Sequence, residues 1–168
     1  MTDGQVKAAL SVREVLALTL FGEARGEPVE GKIFVGCVIR NRVKTVGRWA
    51  DTYPGVCLQK AQFSCWSPAG GTSNYEAVMT LARGFVGDFH ERPDLTPLLR
   101  ELVYLAEGIA GNQLQDNAGK ANHYCTRALW KSARPPCWTI GQTPVVEVGA
   151  HVGFYLCWCD VHGDVTRD

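Results

Sequence analysis

The sequence predicts one domain over residues 1–168 with a mainly helical α+β fold. Three observations predict it. Up to about residue 110, apolar residues recur at helical spacing between turn-rich stretches. After "GNQLQDNAGK" the texture changes: "ANHYCTRALW", "PPCWTI" and "VGAHVGFYLCW" are short, aromatic and turn-bounded, with no helical period. Finally, 168 residues at 46% hydrophobic and 20% charged match one ordinary soluble domain able to bury a core. No repeat, linker or low-complexity tract divides the chain.

The elements follow in order. Val12, Val15, Leu16, Thr19 and Leu20 keep one helical face, which predicts an amphipathic helix over 11–24 with Ser11 as N-cap and Gly26 ending it. Pro28 suits the first turn of a second helix running to about Lys44. Its middle, "IFVGCVI", is apolar on all sides and so belongs at the centre of the core, while Arg40, Asn41 and Arg42 give it a polar end. Residues 45–72 are turn-rich, and "AQFSCW" within them reads as a strand of a small hairpin. Asn74 is a good N-cap for a helix reaching about Phe85. Another, from about Asp94 to Ile109, carries Leu98, Leu102, Leu105 and Ile109 at helical spacing. The aromatic segments beyond it are expected to be extended and packed on the helices.

Composition narrows the function classes. Seventeen basic and seventeen acidic residues leave a net charge of zero, which argues against nucleic acid or anionic lipid as the main partner. No segment approaches the roughly 20 apolar residues of a membrane-spanning helix, so no stable membrane insertion is expected. "MTDGQVKAAL" lacks the basic head and apolar run of a signal peptide, so export is expected to use another route. Seven cysteines are many. Cys57 with Cys65, and Cys125 with Cys137, bracket short loops and are possible bridges; the alternative is that all seven are reduced core residues. A zinc site from Cys157, Cys159 and a histidine lacks the paired CxxC knuckles of structural zinc, so no metal and no cofactor is expected.

The residues able to do chemistry are few. Glu23 continues the buried stripe of the first helix, where a carboxylate is costly unless it is hydrogen-bonded, neutralised or used. In an apolar cleft such a carboxyl keeps its proton and suits a general acid; the structural alternative is an ion pair with Arg25, Arg40 or Arg42. Glu27 cannot share that face, because Gly26 breaks the helix and Pro28 extends the backbone before it. It stands at a helix start, as an anionic support or a second catalytic group. His123, Tyr124, His151 and Tyr155 are of the kind that line sugar clefts or fill cores. A thiol hydrolase built on Cys65 or Cys125 has no supporting local context.

The segment "GEARGEPVEGKIFVGCVIRNRV" resembles the signature of the cell-wall hydrolase family typified by the spore cortex-lytic enzyme SleB. "QFSCW", "DNAGKANHYC", "PPCWTI" and "VGAHVGFY" resemble later pieces of that pattern in the same order, so the likeness spans about residues 14–155. It implies a lysozyme-like fold related to goose lysozyme and lytic transglycosylases. It also implies cleavage of peptidoglycan glycan strands, with Glu23 as the catalytic acid and Glu27 in support. Phe63, Ser64 and Trp66 are placed beside the acid by this resemblance, with His123, Tyr124 and Tyr155 as further substrate-binding residues. As an extended segment, the first three would put Ser64 and Trp66 on one face and Phe63 on the other. In such families the cut is often a lytic transglycosylation between N-acetylmuramic acid and N-acetylglucosamine. A water-using muramidase on the same site is the alternative, and an inactive wall-binding or virion structural module is the alternative of another class. The chain departs from spore enzymes in its cysteines, in "KANHYC", and in lacking a signal peptide and wall-binding repeats. The expectation is therefore a monomeric phage or prophage endolysin, released through a holin or carried on the virion.

Overall fold

The computed structural model describes residues 1–70, 72–87 and 96–157. Seven helices are described: α1 (Asp3–Ala9), α2 (Val12–Ala24), α3 (Val29–Lys44), α4 (Tyr53–Cys57), α5 (Thr72–Val86), α6 (Pro97–Ala110) and α7 (Arg127–Trp130). Three short strands, β1 (His123–Thr126), β2 (Val146–Val148) and β3 (His151–Phe154), form an antiparallel sheet in the order β1-β3-β2. The fold is thus mainly helical α+β.

α2 is the axis of the helical part. Ser11 and Glu14 close its N-terminus as a capping box, each side chain bonding the other's backbone N–H. The sequence reads as an amphipathic helix, yet every residue from Val15 to Leu20 is buried. α3, α4, α5 and α6 all pack on it, so both faces are covered. α3 passes beside it and buries two cations with carboxylate partners: Lys32 on Glu101 at 2.7 Å and Arg40 on Asp116 at 3.1 Å. Where α3 meets α6 there is no room for a side chain. A Cβ on Gly36 would stand 2.2 Å from Cδ1 of Ile109, itself fully buried.

Several local expectations are corrected. α1 is an added helix, closed by a Thr2–Gln5 capping box and anchored by buried Val6. "AQFSCW" forms no strand: Ser64–Trp66 is a 3-10 turn whose backbone bonds are local, Trp66 N–H to Phe63 O at 3.2 Å and Ser67 N–H to Ser64 O at 3.0 Å. α5 starts at Thr72, so Asn74 lies inside its first turn and does not cap it. Its amide instead donates to the carbonyl of Gly22 at the end of α2, at 3.0 Å. α6 is capped by Thr96; the expected start at Asp94 lies outside the described residues. "RALW" is helical because the Thr126 hydroxyl accepts from Leu129 N–H and caps it, and "CWT" at 137–139 is a 3-10 turn. Cys57, Cys65, Cys125 and Cys137 are free thiols, so neither possible bridge is formed; Cys159 lies outside the described residues. No described helix is long and apolar enough to cross a membrane.

The sheet carries a small core of its own. Cys125, Val152, Phe154 and Leu156 are buried together, with the edges of Trp130 and Trp138 against Phe154 at 5.8 and 5.6 Å. Tyr124 of β1 sits opposite Gly153 of β3 and faces the helices, its ring edge-on to Phe34 of α3 at 6.1 Å.

Gly36→Ala is expected to lower stability by about 1–3 kcal/mol, the usual cost of forcing extra volume into a packed core. Thermal melting checks it. An unchanged midpoint would mean that the α3–α6 contact opens freely.

Candidate active site

The site starts from the last turn of α2. A Cβ on Gly22 would lie 2.3 Å from the Cβ and 2.6 Å from the sulfur of Cys65, so the helix rests directly on the Ser64–Trp66 turn. From the other side Asn74 holds the Gly22 carbonyl and accepts from Arg25 at 2.5 Å. Trp66 donates from its indole N–H to the hydroxyl of Thr19 at 2.9 Å, and that hydroxyl donates to Val15 O at 2.7 Å. The end of α2 is thereby clamped on two sides. Glu23, the next residue, opens into a cleft of about 610 Å³.

The carboxyl of Glu23 has two unlike oxygens. Oε2 accepts from the Tyr124 hydroxyl at 3.1 Å, while Oε1 is buried without a hydrogen-bond partner. Burial, and next the charge of Glu23, hold the Tyr124 hydroxyl well above the usual phenol range, so it stays a donor. The Cys65 thiol beside it is likewise raised, first by burial and then by Glu23, and is an inert neighbour. None of the three arginines considered as partners pairs with Glu23. Arg25 bonds Asn74, Arg40 bonds Asp116, and Arg42 bonds Asn122 O at 2.7 Å and Gln62 Oε1 at 3.2 Å.

Glu27 is not among the residues lining the cleft. Its Oε2 lies 3.8 Å from Nδ1 of His151, whose ring stacks on Phe34 at 5.8 Å and meets Tyr124 edge-on at 5.3 Å. Burial lowers the pKa of His151, against the pull of Glu27. Asp116 is occupied by Arg40 and by the backbone N–H of Ala118. Among the described residues, Glu23 is therefore the one carboxylate lining the cleft.

Of the expected substrate-binding residues, Phe63, Ser64, His123 and Tyr124 line the cleft with Glu23. Trp66 and Tyr155 do not. A 3-10 turn advances about 120° per residue, so Ser64 and Trp66 cannot share a face as they would in a strand; Trp66 turns into the core toward Thr19. Tyr155 follows the buried Phe154 in extended chain and so points the opposite way. It is 44% exposed, under the ammonium of Lys120 at 5.1 Å, and lines a separate depression with Leu156 and Cys157.

Sequence reasoning did not assign Arg42, Gln62 or Trp138 to the cleft. Arg42 and Trp138 stood within the quoted motifs: "IRNRV" ends α3, and "PPCWTI" holds the 137–139 turn whose Trp138 packs on Phe154 of β3. The far wall bends through Ala61, whose φ of 64° is a left-handed conformation that costs an alanine on the order of 1 kcal/mol. His123 bonds Asn122 Oδ1 through Nδ1 at 2.8 Å, and burial, then Arg42 and Arg48, push its pKa down to about 3.

Residues 26–155 match the cell wall hydrolase family model. The chain belongs to the cell wall hydrolase family. Glu23 stands just ahead of the matched span, so its place at the cleft rests on the geometry above. Solved structures of similar fold include the catalytic domain of the Bacillus cereus SleB protein, 19% identical with a TM-score of 0.54, covering 90% of this chain and 91% of that one. Another is the catalytic domain of the germination-specific lytic transglycosylase SleB from Bacillus anthracis, 19% identical with a TM-score of 0.57, covering 87% and 97%. At that identity they speak for the fold, which is the lysozyme-like fold of those domains. No curated protein matches the chain significantly.

This cell wall hydrolase should lose stability on acidification. His123 and His151 are held below their ordinary value of 6.5 in the folded state. The unfolded chain then binds more protons below that pH, so the histidine contribution is intact above about 6.5 and is lost as pH falls toward the folded value. Denaturant titrations across this range check it. His123→Gln should flatten the slope, and an identical slope in the variant would contradict the assignment.

Proposed function

We propose that the chain cleaves peptidoglycan glycan strands between N-acetylmuramic acid and N-acetylglucosamine by lytic transglycosylation, with Glu23 as acid and then base. Family membership supports the wall as substrate. The observation that carries the mechanism is that, among the described residues, Glu23 is the single carboxylate lining the cleft. Two-carboxylate glycosidases need a second group across the sugar, within roughly 5–10 Å of the first. Here Glu27 is turned to His151 and Asp116 to Arg40, so neither faces a bound sugar.

One carboxyl suffices when the nucleophile is within the substrate. Glu23 gives its proton to the glycosidic oxygen as the bond from C1 of the muramic acid to that oxygen breaks. The resulting carboxylate takes the proton of the C6 hydroxyl on the same muramic acid. That oxygen closes on C1 and leaves a 1,6-anhydro ring, and Glu23 ends protonated as it began. The C6 hydroxyl is already held beside C1, so its effective concentration exceeds that of any free water. Tyr124 steadies the carboxyl through Oε2 in both halves of the cycle.

Glu23→Gln is expected to lower lysis of purified walls by about 100-fold or more at unchanged melting temperature, since the amide keeps the shape and loses the transferable proton. Retention of more than roughly a tenth of the activity would sink the role of Glu23. Mass spectrometry of the released fragments should find 1,6-anhydro ends, about 18 Da lighter than the hydrated ends of a two-carboxylate hydrolase. Hydrated ends in their place would assign a water-using muramidase.

Glu27→Gln should lose less rate than Glu23→Gln and show part of its loss as a lower melting temperature, because it withdraws the anion that stands at the start of α3. Equal loss of rate at unchanged stability would make the two glutamates a catalytic pair.

A further inference from the structure

We infer that Arg42 is a specificity-determining residue that takes a carboxylate of the peptide stem carried by the muramic acid at the cleft. The inference deepens the glycan-cleaving reading and rests on it. Three buried cations are described: Lys32, Arg40 and Arg42, at 6%, 4% and 6% exposure. Lys32 and Arg40 each hold a carboxylate. Among the described residues Arg42 holds none, and it is the one of the three that lines the cleft. A guanidinium has five N–H donors. Arg42 spends Nε on the carbonyl of Asn122 and Nη1 on the amide oxygen of Gln62, both neutral acceptors. Trp49 and Phe63 flank it, with their ring centres at 5.5 and 5.2 Å. The group is thus oriented and shielded from water, and among the described residues no carboxylate bonds it; Glu23, lining the same cleft, acts on it through its charge alone. Such a charge is costly to bury unless a ligand supplies the counter-charge.

The chemistry of the strand names the ligand. Its N-acetylated sugars are neutral, so the charge must come from a substituent. A phosphodiester on the muramic C6 oxygen would block the ring closure that the cleft favours. The remaining anions are the carboxylates of the peptide stem on the lactyl group. A carboxylate meets a guanidinium through paired, charge-assisted bonds, which an ammonium does not reproduce.

The test uses the full chain on two substrates: wall glycan strands with their stems, and the same strands stripped by an amidase that splits the lactyl–alanine bond, with the lactyl carboxylate this leaves capped as its methylamide. The wild type should show kcat/KM about tenfold or more higher on stem-bearing strands, mostly through KM, as for a lost charged hydrogen bond. In Arg42→Gln the ratio between the two substrates should collapse toward one, with Arg42→Lys between. A strut that only braces Asn122 and Gln62 would lower both rates and leave that ratio unchanged, and this result overturns the inference. If the variants do not fold, the wild type decides: amidating the stem carboxylates should reduce cleavage to the stem-free rate, and an unaffected rate overturns the inference. A wild type that cleaves both strands equally also overturns it, with the glycan-cleaving reading left standing. A wild type inactive on both strands removes that reading and this inference together.

Discussion

The seating of α2 on the Ser64–Trp66 turn is the contact on which the site depends. At Gly22 the helix backbone lies directly on the Cβ and sulfur of Cys65. The next residue is Glu23, so the position of the carboxyl is set by how closely the helix backbone rests on the Cys65 side chain. Only glycine allows that approach. The same contact turns Cys65 inward and leaves Phe63 and Ser64 on the cleft wall. Thr19 and Asn74 fasten the helix above and beside the contact, through the Trp66 indole and the Gly22 carbonyl. A buried helix can end on a carboxylate here because the packing that buries its body stops at the cleft.

A second constraint brings the sheet to that carboxyl. Asn122, 2% exposed, accepts the Leu156 N–H at 3.0 Å, donates to the Leu156 carbonyl at 3.1 Å and meets His123 through Oδ1. Its own carbonyl accepts from Arg42 of α3. One buried amide thus ties the entry of β1, the exit of β3 and the end of α3. A fully satisfied buried polar group of this kind costs little and fixes one geometry, whereas any missing partner leaves a desolvated atom. The register that follows sets Tyr124 across from Gly153 and its hydroxyl on Glu23. Phe34 and His151 pack against the Tyr124 ring, so α3 and β3 together hold what β1 presents.

What was legible in the sequence follows the range of the forces involved. α2 and α3 announce themselves through local signals, a capping Ser11, a Pro28 and long apolar periods, and both run within a residue or two of expectation. The carboxyl at Glu23 is legible for the same reason: helical spacing alone puts it at the end of a buried stripe. The turn at 64–66 is not, because "AQFSCW" has strand-like composition and lacks a partner strand, a tertiary fact. Asn74 shows the same limit: its preference for helix ends is real, but the end it serves belongs to α2 across 52 residues. Trp66 and Tyr155 were placed at the cleft by family resemblance, and backbone geometry sends each elsewhere. Arg42 was visible only as a possible partner for Glu23, since nothing local shows that Asp116 and Glu101 serve its neighbours instead.

The separation of the two glutamates follows from the break between them. Had α2 continued, Glu27 would stand one turn beyond Glu23 on the same face, and the cleft would hold two like charges. The helix ends at Ala24, and the Glu27 N–H turns back to the Ala24 carbonyl at 3.0 Å. The chain then starts α3 at Val29, and the side chain of Glu27 is delivered to His151. Four residues of sequence become two environments, one facing the cleft and one facing an imidazole. Among the described residues, that leaves the cleft lined by one carboxylate, Glu23, and by one guanidinium, Arg42, bonded to neutral acceptors. Tyr124 bonds Glu23 through its hydroxyl, and its ring meets the imidazole that Glu27 faces.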